Sequence, residues 1–306
     1  MASPRVAVAP NGTRSWLADA VAAGGAEVVD PDDAGAVVWT HHADPGGLAG
    51  LLDEHAGLRW VQLPWAGVEP YVEVISAHPD RTWTCAKGVY AEPVAELALT
   101  LLLAGLRRLD VYGRATSWEG PLGRNLLRAR VVLVGGGGIT TSLLRMLGPF
   151  DVHATVVRRV PAPMAGAAAV LPVALLDEAL DRADALVLAL ALTPETTGLI
   201  DRGRLERLAD HAWVVNVARG RHIVTDDLVA ALGDGTIGGA GLDVTDPEPL
   251  PPGHPLWSLP NVIITPHVGN TPEMAVPLLS ARISENVRRW AAGDELLGPV
   301  DVEAGY

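Results

Sequence analysis

The stretch RVVLVGGGGITTSLLRML, residues 130–147, decides the fold of this chain. An apolar, strand-like run leads directly into four glycines, and an amphipathic helical pattern follows them directly. Gly135 and Gly137 take the first two positions of the pattern G-x-G-x-x-G. The first glycine permits a tight turn, and the second lets a pyrophosphate approach the backbone at the N-terminus of the helix. The turn therefore predicts dinucleotide binding, with contacts at Gly135, Gly137, Gly138 and Ile139.

The strand that follows indicates which dinucleotide is bound. HATVV, residues 153–157, runs into Arg158 and Arg159. An acidic residue there would accept from the ribose hydroxyls of NAD, whereas a guanidinium suits the 2′-phosphate of NADP. Arginine is common in this chain, since every basic residue except Lys87 is arginine. Because the carboxylate is absent as well, the strand end favours NADP over NAD, with Arg158 and Arg159 as cofactor contacts.

The rest of the chain alternates short β-like runs with helical stretches, which is typical of a parallel sheet covered by helices. Its 306 residues suit two domains of about 100–200 residues each. Strands are predicted at 5–10, 26–30, 36–40, 58–64, 129–136, 153–157, 183–192, 212–218, 238–244 and 262–266. Helices are predicted at 15–25, 92–112, 139–148, 202–209, 224–233 and 272–291.

The composition limits the partners. There are 36 acidic and 23 basic residues, a net charge of −13, which argues against nucleic acid or an anionic membrane as the main partner. A single cysteine, Cys85, excludes a disulfide within the chain and a cysteine-based metal cluster, so no metal site is predicted. The N-terminus lacks the pattern of a signal peptide, and the most apolar window, 94–106, is too short to span a bilayer. We expect a soluble protein of the reducing cytoplasm.

Three titratable residues follow strands of the second half of the chain. Arg219 follows AWVVNVA, Glu248 lies in LDVTDPEPLPP, and His267 follows VIITP. Each alone would suit an ordinary surface loop. The carboxyl ends of parallel strands meet at one edge of the sheet, where ligands bind. Because all three are expected at the same sheet edge as the glycine turn, together they predict a catalytic site.

These segments resemble the D-isomer-specific 2-hydroxyacid dehydrogenases, a family that includes glyoxylate/hydroxypyruvate reductases and phosphoglycerate dehydrogenases. The resemblance covers most of residues 58–285 in the family's order and spacing. The matching segments are WVQLPWAGVE (60–69), KGVYAEPVAELAL (87–99), VVLVGGGGI (131–139), LTPETTGLI (192–200), VVNVARG (214–220), AGLDVTDPEPLP (240–251) and NVIITPH (261–267).

The resemblance implies an NAD(P)-dependent oxidoreductase that acts on a small 2-oxo or 2-hydroxy acid, with glyoxylate and hydroxypyruvate as the favoured substrates. His267 would be the acid/base, Glu248 would hydrogen-bond its imidazole and raise its pKa, and Arg219 would hold the substrate carboxylate. The backbone of Ala66, Gly67 and Val68 would bind the same carboxylate, beside Trp65. Further cofactor contacts are implied at Ala191, Thr196, Val217, Asp243 and His267.

The fold implied is α/β, with two doubly wound parallel-sheet domains and the substrate in the cleft between them. A Rossmann domain for the cofactor would occupy residues 98–284. A discontinuous, flavodoxin-like substrate domain would comprise 1–97 and 285–306. The family also implies a homodimer through the cofactor domain, with the long helix and the loop of Trp118 as candidate contacts.

The chain departs from the family at several positions. Thr140 replaces the third glycine and is expected to move the helix slightly without removing the anion site. Cys85 stands where asparagine is frequent, Ala191 where proline is frequent, and HVGNT is one residue shorter than the common form. None of these removes a predicted catalytic residue.

Other functions on the same scaffold stay open. A phosphorylated substrate such as phosphoglycerate would require further basic residues in the substrate domain. Many phosphoglycerate dehydrogenases also carry an extra C-terminal regulatory domain. A formate dehydrogenase is disfavoured, because that branch carries glutamine at the position of Glu248. A non-catalytic dinucleotide-sensing protein, as among the related transcriptional corepressors, would retain the same three residues.

Overall fold

The computed structural model of the chain describes residues 3–10, 14–41, 44–118 and 120–301. The chain forms two compact units. Unit 1 contains the described residues up to Tyr90 and those from Thr271 onward, and unit 2 is Ala91–Asn270. The chain therefore passes between units at 90/91 and 270/271, whereas the sequence placed these borders at 97/98 and 284/285. Residues 302–306 of the expected tail lie outside the described residues.

The elements are numbered in chain order. The strands are β1 (Arg5–Ala9), β2 (Glu27–Val28), β3 (Ala36–Trp39), β4 (Trp60–Gln62), β5 (Thr82–Thr84), β6 (Arg130–Val134), β7 (His153–Val157), β8 (Ala169–Leu171), β9 (Ala185–Leu188), β10 (Trp213–Asn216), β11 (Gly239–Leu242) and β12 (Val262–Ile264). The helices are α1 (Trp16–Ala23), α2 (Pro45–Glu54), α3 (Val72–Ala77), α4 (Ala91–Leu106), α5 (Leu109–Tyr112), α6 (Gly138–Leu147), α7 (Leu176–Leu180), α8 (Arg202–Leu205), α9 (Thr225–Gly233) and α10 (Pro272–Ala292).

Unit 1 is built on a five-stranded parallel sheet in the order β2-β1-β3-β4-β5, the flavodoxin-like order. All four residues of β3 are buried, as expected for a central strand with helices on both faces. Helix α10 packs on α1, where Leu279 and Val287 share a buried cluster with Leu17. The buried residues of α10 begin at Leu279, and the unit border at 270/271 precedes the helix, so α10 belongs wholly to unit 1.

Unit 2 is built on a seven-stranded parallel sheet in the order β12-β11-β10-β9-β6-β7-β8. This is the Rossmann order with one further strand at the β12 edge, and the strand order reverses between β6 and β9. The predicted fold class is therefore confirmed. Among the described residues, no helix combines the length and the apolar character that crossing a membrane requires.

The predicted helix 92–112 is two helices, α4 and α5. Arg108 adopts a left-handed backbone conformation (φ 55°) after α4 and donates to the buried carboxylate of Asp110, with an Nη2–Oδ2 distance of 3.0 Å. Helix α4 packs on α6 and β10, and a Cβ at Gly105 would lie 2.1 Å from the ring of Trp213. This close packing runs back to the first turn, so all of α4 belongs to unit 2.

Candidate active site

The glycine turn joins β6 to α6 and is held by close backbone packing. Gly135 has φ +108°, and a Cβ there would lie 2.1 Å from the carbonyl oxygen of Ala189, so only glycine fits. Gly137 is the N-cap residue of α6, and no described heavy atom lies within 4 Å of where its Cβ would be. The open space beside this helix start suits a phosphate group, as the sequence predicts. Gly138 and Ile139 form the first turn of α6.

Thr140, at the position of the third glycine, takes part in the turn. It is fully buried, and its hydroxyl donates to the carbonyl of Gly135 at 2.8 Å. This bond joins the first turn of α6 to the end of β6, a contact that glycine could not make. The threonine therefore stabilises the glycine turn from within.

Arg158 lies against the same turn. Its backbone follows β7 and donates to Leu171 at 3.0 Å. A Cβ at Gly136 would lie 2.7 Å from the Cδ and the Nε of Arg158, so the side chain crosses the glycine turn. Arg159, the next residue, is exposed. The arginine at the strand end thus lies beside the predicted dinucleotide site, and no carboxylate takes its place at the end of β7.

The loop after β9 carries two further predicted contacts, Ala191 and Thr196. The Thr196 hydroxyl donates to the carbonyl of Ala191 at 2.9 Å and accepts from the amide of Thr193 at 2.8 Å. Val217, directly after β10, is buried and donates its amide to Leu188 at 3.3 Å. These residues lie at the same carboxyl edge of the sheet as the glycine turn.

Arg219 is placed by a buried residue that the sequence analysis did not single out. Asn216, 1% exposed at the end of β10, donates from Nδ2 to the carbonyl of Arg219 at 2.9 Å and accepts at Oδ1 from the amide of Ala218 at 3.0 Å. Gly220 permits the return of the chain, since a Cβ there would lie 2.0 Å from the backbone of Thr245. Its position in the sequence could have indicated this role, because Asn216 is a polar residue at the end of an otherwise apolar strand, WVVN.

His267 and Glu248 form a pair. Nδ1 of His267 lies 2.6 Å from Oε1 of Glu248, and the two side chains are 51% and 41% exposed. The hydrogen bond to Glu248 raises the pKa of His267 above its ordinary value of 6.5, against the opposing effects of desolvation and of Arg219. The same bond lowers the pKa of Glu248. With Nδ1 bonded to the carboxylate, Nε2 is the ring nitrogen that can exchange a proton with a substrate.

Asp243 holds the segment that carries His267. Its carboxylate is nearly fully buried, and Oδ1 accepts from the Thr265 hydroxyl at 2.6 Å and the Val268 amide at 2.9 Å, while Oδ2 accepts from the Gly269 amide at 2.9 Å. His267 itself has a left-handed backbone (φ 52°), and its amide donates to the Asp243 carbonyl at 2.8 Å. The role of Asp243 beside the nicotinamide stays a prediction.

The remaining predicted residues, Trp65 to Val68, lie in unit 1 just after β4. The Trp65 ring stacks on that of Tyr71 (centroids 6.2 Å apart, planes at 2°), and the Arg14 guanidinium lies 5.4 Å from its centroid. Ala66 is exposed, Gly67 half-buried and Val68 buried. Substrate binding by this backbone segment stays a prediction. Among the described residues, no three His, Cys, Asp or Glu side chains group as a metal site would need.

Comparison with known proteins identifies the family. The model of the NAD binding domain of D-isomer specific 2-hydroxyacid dehydrogenases matches residues 97–269, more than half of the chain. The chain belongs to the D-isomer specific 2-hydroxyacid dehydrogenase family. As a member of this family it is an NAD(P)-dependent oxidoreductase, and the resemblance found in the sequence is confirmed.

Individual proteins similar to this chain extend the comparison. A glyoxylate reductase/hydroxypyruvate reductase from Mus musculus is 36% identical over 222 residues, which is 68% of this chain and 66% of that protein. The crystal structure of a D-isomer specific 2-hydroxyacid dehydrogenase from Xanthobacter autotrophicus Py2 in complex with NADPH and MES has a TM-score of 0.86 and 28% identity, with 100% of both chains covered. The crystal structure of an NADPH-dependent glyoxylate/hydroxypyruvate reductase from Sinorhizobium meliloti in complex with NADP and sulfate has a TM-score of 0.82 and 26% identity, with 100% of both chains covered.

Proposed function

We propose that this family member reduces small 2-oxo acids, with glyoxylate or hydroxypyruvate as substrate and NADPH as the preferred cofactor. The observation that carries the proposal is the 2.6 Å pair of His267 and Glu248, at the same sheet edge as Arg219 and the glycine turn. The glyoxylate/hydroxypyruvate reductases named above support the choice of substrate.

The pair supplies the proton for the reduction. Because its pKa is raised, His267 keeps its proton to a higher pH than a free imidazole does, and it donates this proton from Nε2 to the carbonyl oxygen of the substrate. Glu248 stabilises the imidazolium and fixes the ring orientation. Arg219 binds the substrate carboxylate and polarises the neighbouring carbonyl. A bound reduced nicotinamide supplies the hydride, so a 2-oxo acid and one proton become a 2-hydroxy acid.

The residues around the glycine turn fit a dinucleotide. The turn leaves no room for side chains at Gly135, and the start of α6 is open at Gly137. The Arg158 side chain beside Gly136 would pair with a 2′-phosphate, and no acidic residue ends β7 to accept from a ribose hydroxyl. These contacts support NADP over NAD.

A homodimer through unit 2 forms part of the proposal. Several large apolar side chains of one segment are exposed, as expected for a surface that a second copy covers. The exposed fraction of Trp118 reaches 102%. The other large exposed apolar residues of this segment are Leu109, Leu122 and Leu127.

The proposed location is the cytoplasm. Cys85 is buried and forms no disulfide, which suits a reducing compartment.

A steady-state panel tests the proposed function. Glyoxylate, hydroxypyruvate, pyruvate and 3-phosphohydroxypyruvate would be assayed with NADPH and with NADH. We expect turnover of glyoxylate or hydroxypyruvate, faster at low cofactor concentration with NADPH. Preference for the phosphorylated acid would support a phosphoglycerate dehydrogenase instead. Tight dinucleotide binding without turnover of any acid would support a sensing protein and contradict the proposal.

A further inference from the structure

His222 is a fully buried histidine to which the mechanism above gives no role. It ends the short turn Gly220–His222 that directly follows Arg219, and its amide donates to the carbonyl of Arg219 at 3.2 Å. A buried imidazole needs hydrogen-bond partners for its polar atoms. Two backbone carbonyls outside its own turn lie within hydrogen-bond distance of its ring.

Both ring nitrogens of His222 face the loop after β9. Nδ1 lies 3.0 Å from the carbonyl oxygen of Thr196, and Nε2 lies 3.3 Å from the carbonyl oxygen of Leu190. A carbonyl only accepts, so a neutral ring donates to one of the two and a doubly protonated ring to both. The doubly protonated ring therefore bonds both ends of the loop 190–196, and a neutral ring bonds one end and lies against the other.

Other bonds join the same two segments. Gly198 donates to the carbonyl of Arg221 at 2.8 Å, and Ile200 donates to the carbonyl of His222 at 2.9 Å. Inside the loop, the Thr196 hydroxyl holds the carbonyl of Ala191. The backbone bonds join the chain beyond the loop to the Arg219 turn, whereas the His222 ring reaches the loop itself.

We propose that His222 is a positioning residue: its ring closes the loop 190–196 and fixes it against the turn that carries Arg219. One buried side chain then fixes the positions of the predicted cofactor contacts Ala191 and Thr196. It also fixes the turn of Arg219, which would bind the substrate carboxylate. The inference rests on the proposed function, in which this loop touches the cofactor. His222 contacts neither substrate nor cofactor and takes no part in the chemistry.

Three variants separate the two ring bonds. His222→Asn keeps an amide nitrogen near the position of Nδ1, where it can donate to Thr196. His222→Gln keeps one near Nε2, where it can donate to Leu190. His222→Leu keeps neither. The readouts are the Kd for NADPH by calorimetry, kcat, the KM for the 2-oxo acid, and the melting temperature.

We expect His222→Leu to raise the Kd for NADPH by about 3- to 30-fold, the range for losing one or two hydrogen bonds, and to lower kcat. His222→Asn should be the least affected because it keeps the shorter bond. His211→Leu is the matched control. It removes a second histidine of unit 2, which is partly buried and whose Nε2 lies 2.7 Å from Asp184, directly before β9. This variant should leave the Kd unchanged.

The outcomes separate the inference from the function on which it rests. Wild-type protein that binds no NADPH would overturn both. Wild-type protein that binds NADPH, with a folded His222→Leu variant of unchanged Kd and kcat, would overturn the inference alone. If His222→Leu does not fold, the polar variants decide. Equal loss in His222→Asn, His222→Gln and the His211→Leu control would then show a general packing effect and overturn the positioning role.

Discussion

The seven-stranded sheet of unit 2 presents different chemistry on the two sides of the point where its strand order reverses. On one side lie strands β6–β8, which we call the glycine half. Their ends carry a backbone turn with no room for a side chain at Gly135, and the two arginines Arg158 and Arg159. On the other side β9–β12, the histidine half, ends in Arg219, Asp243 and His267. Both halves belong to one parallel sheet, and the residues that follow the strands give each half its chemistry.

The two halves are also held differently. The glycine turn depends on close backbone contacts, such as that of Gly135 with Ala189, and on the hydroxyl of Thr140. In the histidine half, buried polar side chains fix the reactive ones: Asn216 holds the backbone of Arg219, and Asp243 holds the segment of His267. The comparison teaches that the reactive side chains of the histidine half and the predicted phosphate site of the glycine half are held by separate contacts. A variant of His267 or Arg219 should therefore leave the phosphate site intact, and a variant of Arg158 should leave the chemistry intact.

The largest expected effect is in the histidine half. His267→Ala removes the general acid, so kcat for 2-oxo acid reduction should fall by about 10²- to 10⁴-fold while the Kd for NADPH stays close to that of the wild type. Arg219→Ala should also lose turnover and keep cofactor binding, because it removes the cation for the substrate carboxylate. Stopped-flow reduction and calorimetric titration measure the two quantities.

His254→Ala serves as the control for this loss. His254 lies in the same unit, and its ring accepts from the amide of Leu256 at 3.3 Å. It should keep wild-type turnover. Wild-type rates in His267→Ala or Arg219→Ala would remove that residue from the mechanism, and a parallel loss of NADPH affinity would contradict the separation of the halves.

A smaller effect is expected in the glycine half. Arg158→Asp replaces the cation with a carboxylate, so NADPH should bind about 10- to 100-fold more weakly and the preference should turn to NADH. At saturating cofactor, kcat should change little. Titration of both cofactors into both proteins measures this.

Arg128→Asp, an exposed arginine just before the start of β6, is the control and should leave both affinities unchanged. Equal binding of NADPH and NADH by the wild type would show that Arg158 meets no phosphate.

The sequence predicted ten strands that the structure contains, because parallel strands with an apolar pattern are the clearest signal it carries. Most of them end one or two residues earlier than predicted. Arg158, Arg219 and His267 all follow strands where expected. The three-residue strands β5 and β8 were missed, since TWT is short and Ala169–Leu171 follows a run of alanines with weak strand propensity.

What the sequence could not show was the set of buried bonds behind the site. A threonine in place of glycine predicts a shift of the helix, whereas in the structure the hydroxyl of Thr140 bonds the turn. The two bonds of Asn216 and the two contacts of His222 depend on chain segments brought together by folding. The helix predicted over 92–112 ends at Leu106 because Arg108 turns to bond Asp110, a local pair that hydrophobic periodicity does not reveal.

The pH dependence of kcat/KM, compared between wild type and Glu248→Gln, tests most directly the claim that His267 acts as an acid through Glu248. The hydrogen bond to Glu248 raises the pKa of His267 above its ordinary value of 6.5, so the protonated form persists to higher pH than in a free imidazole and is lost as the pH rises through that raised pKa. Reduction by the wild type should therefore decline only on the alkaline side. In Glu248→Gln this decline should move to lower pH, as expected when a neighbouring negative charge is removed. An alkaline decline of kcat/KM at the same pH in both proteins would contradict the account.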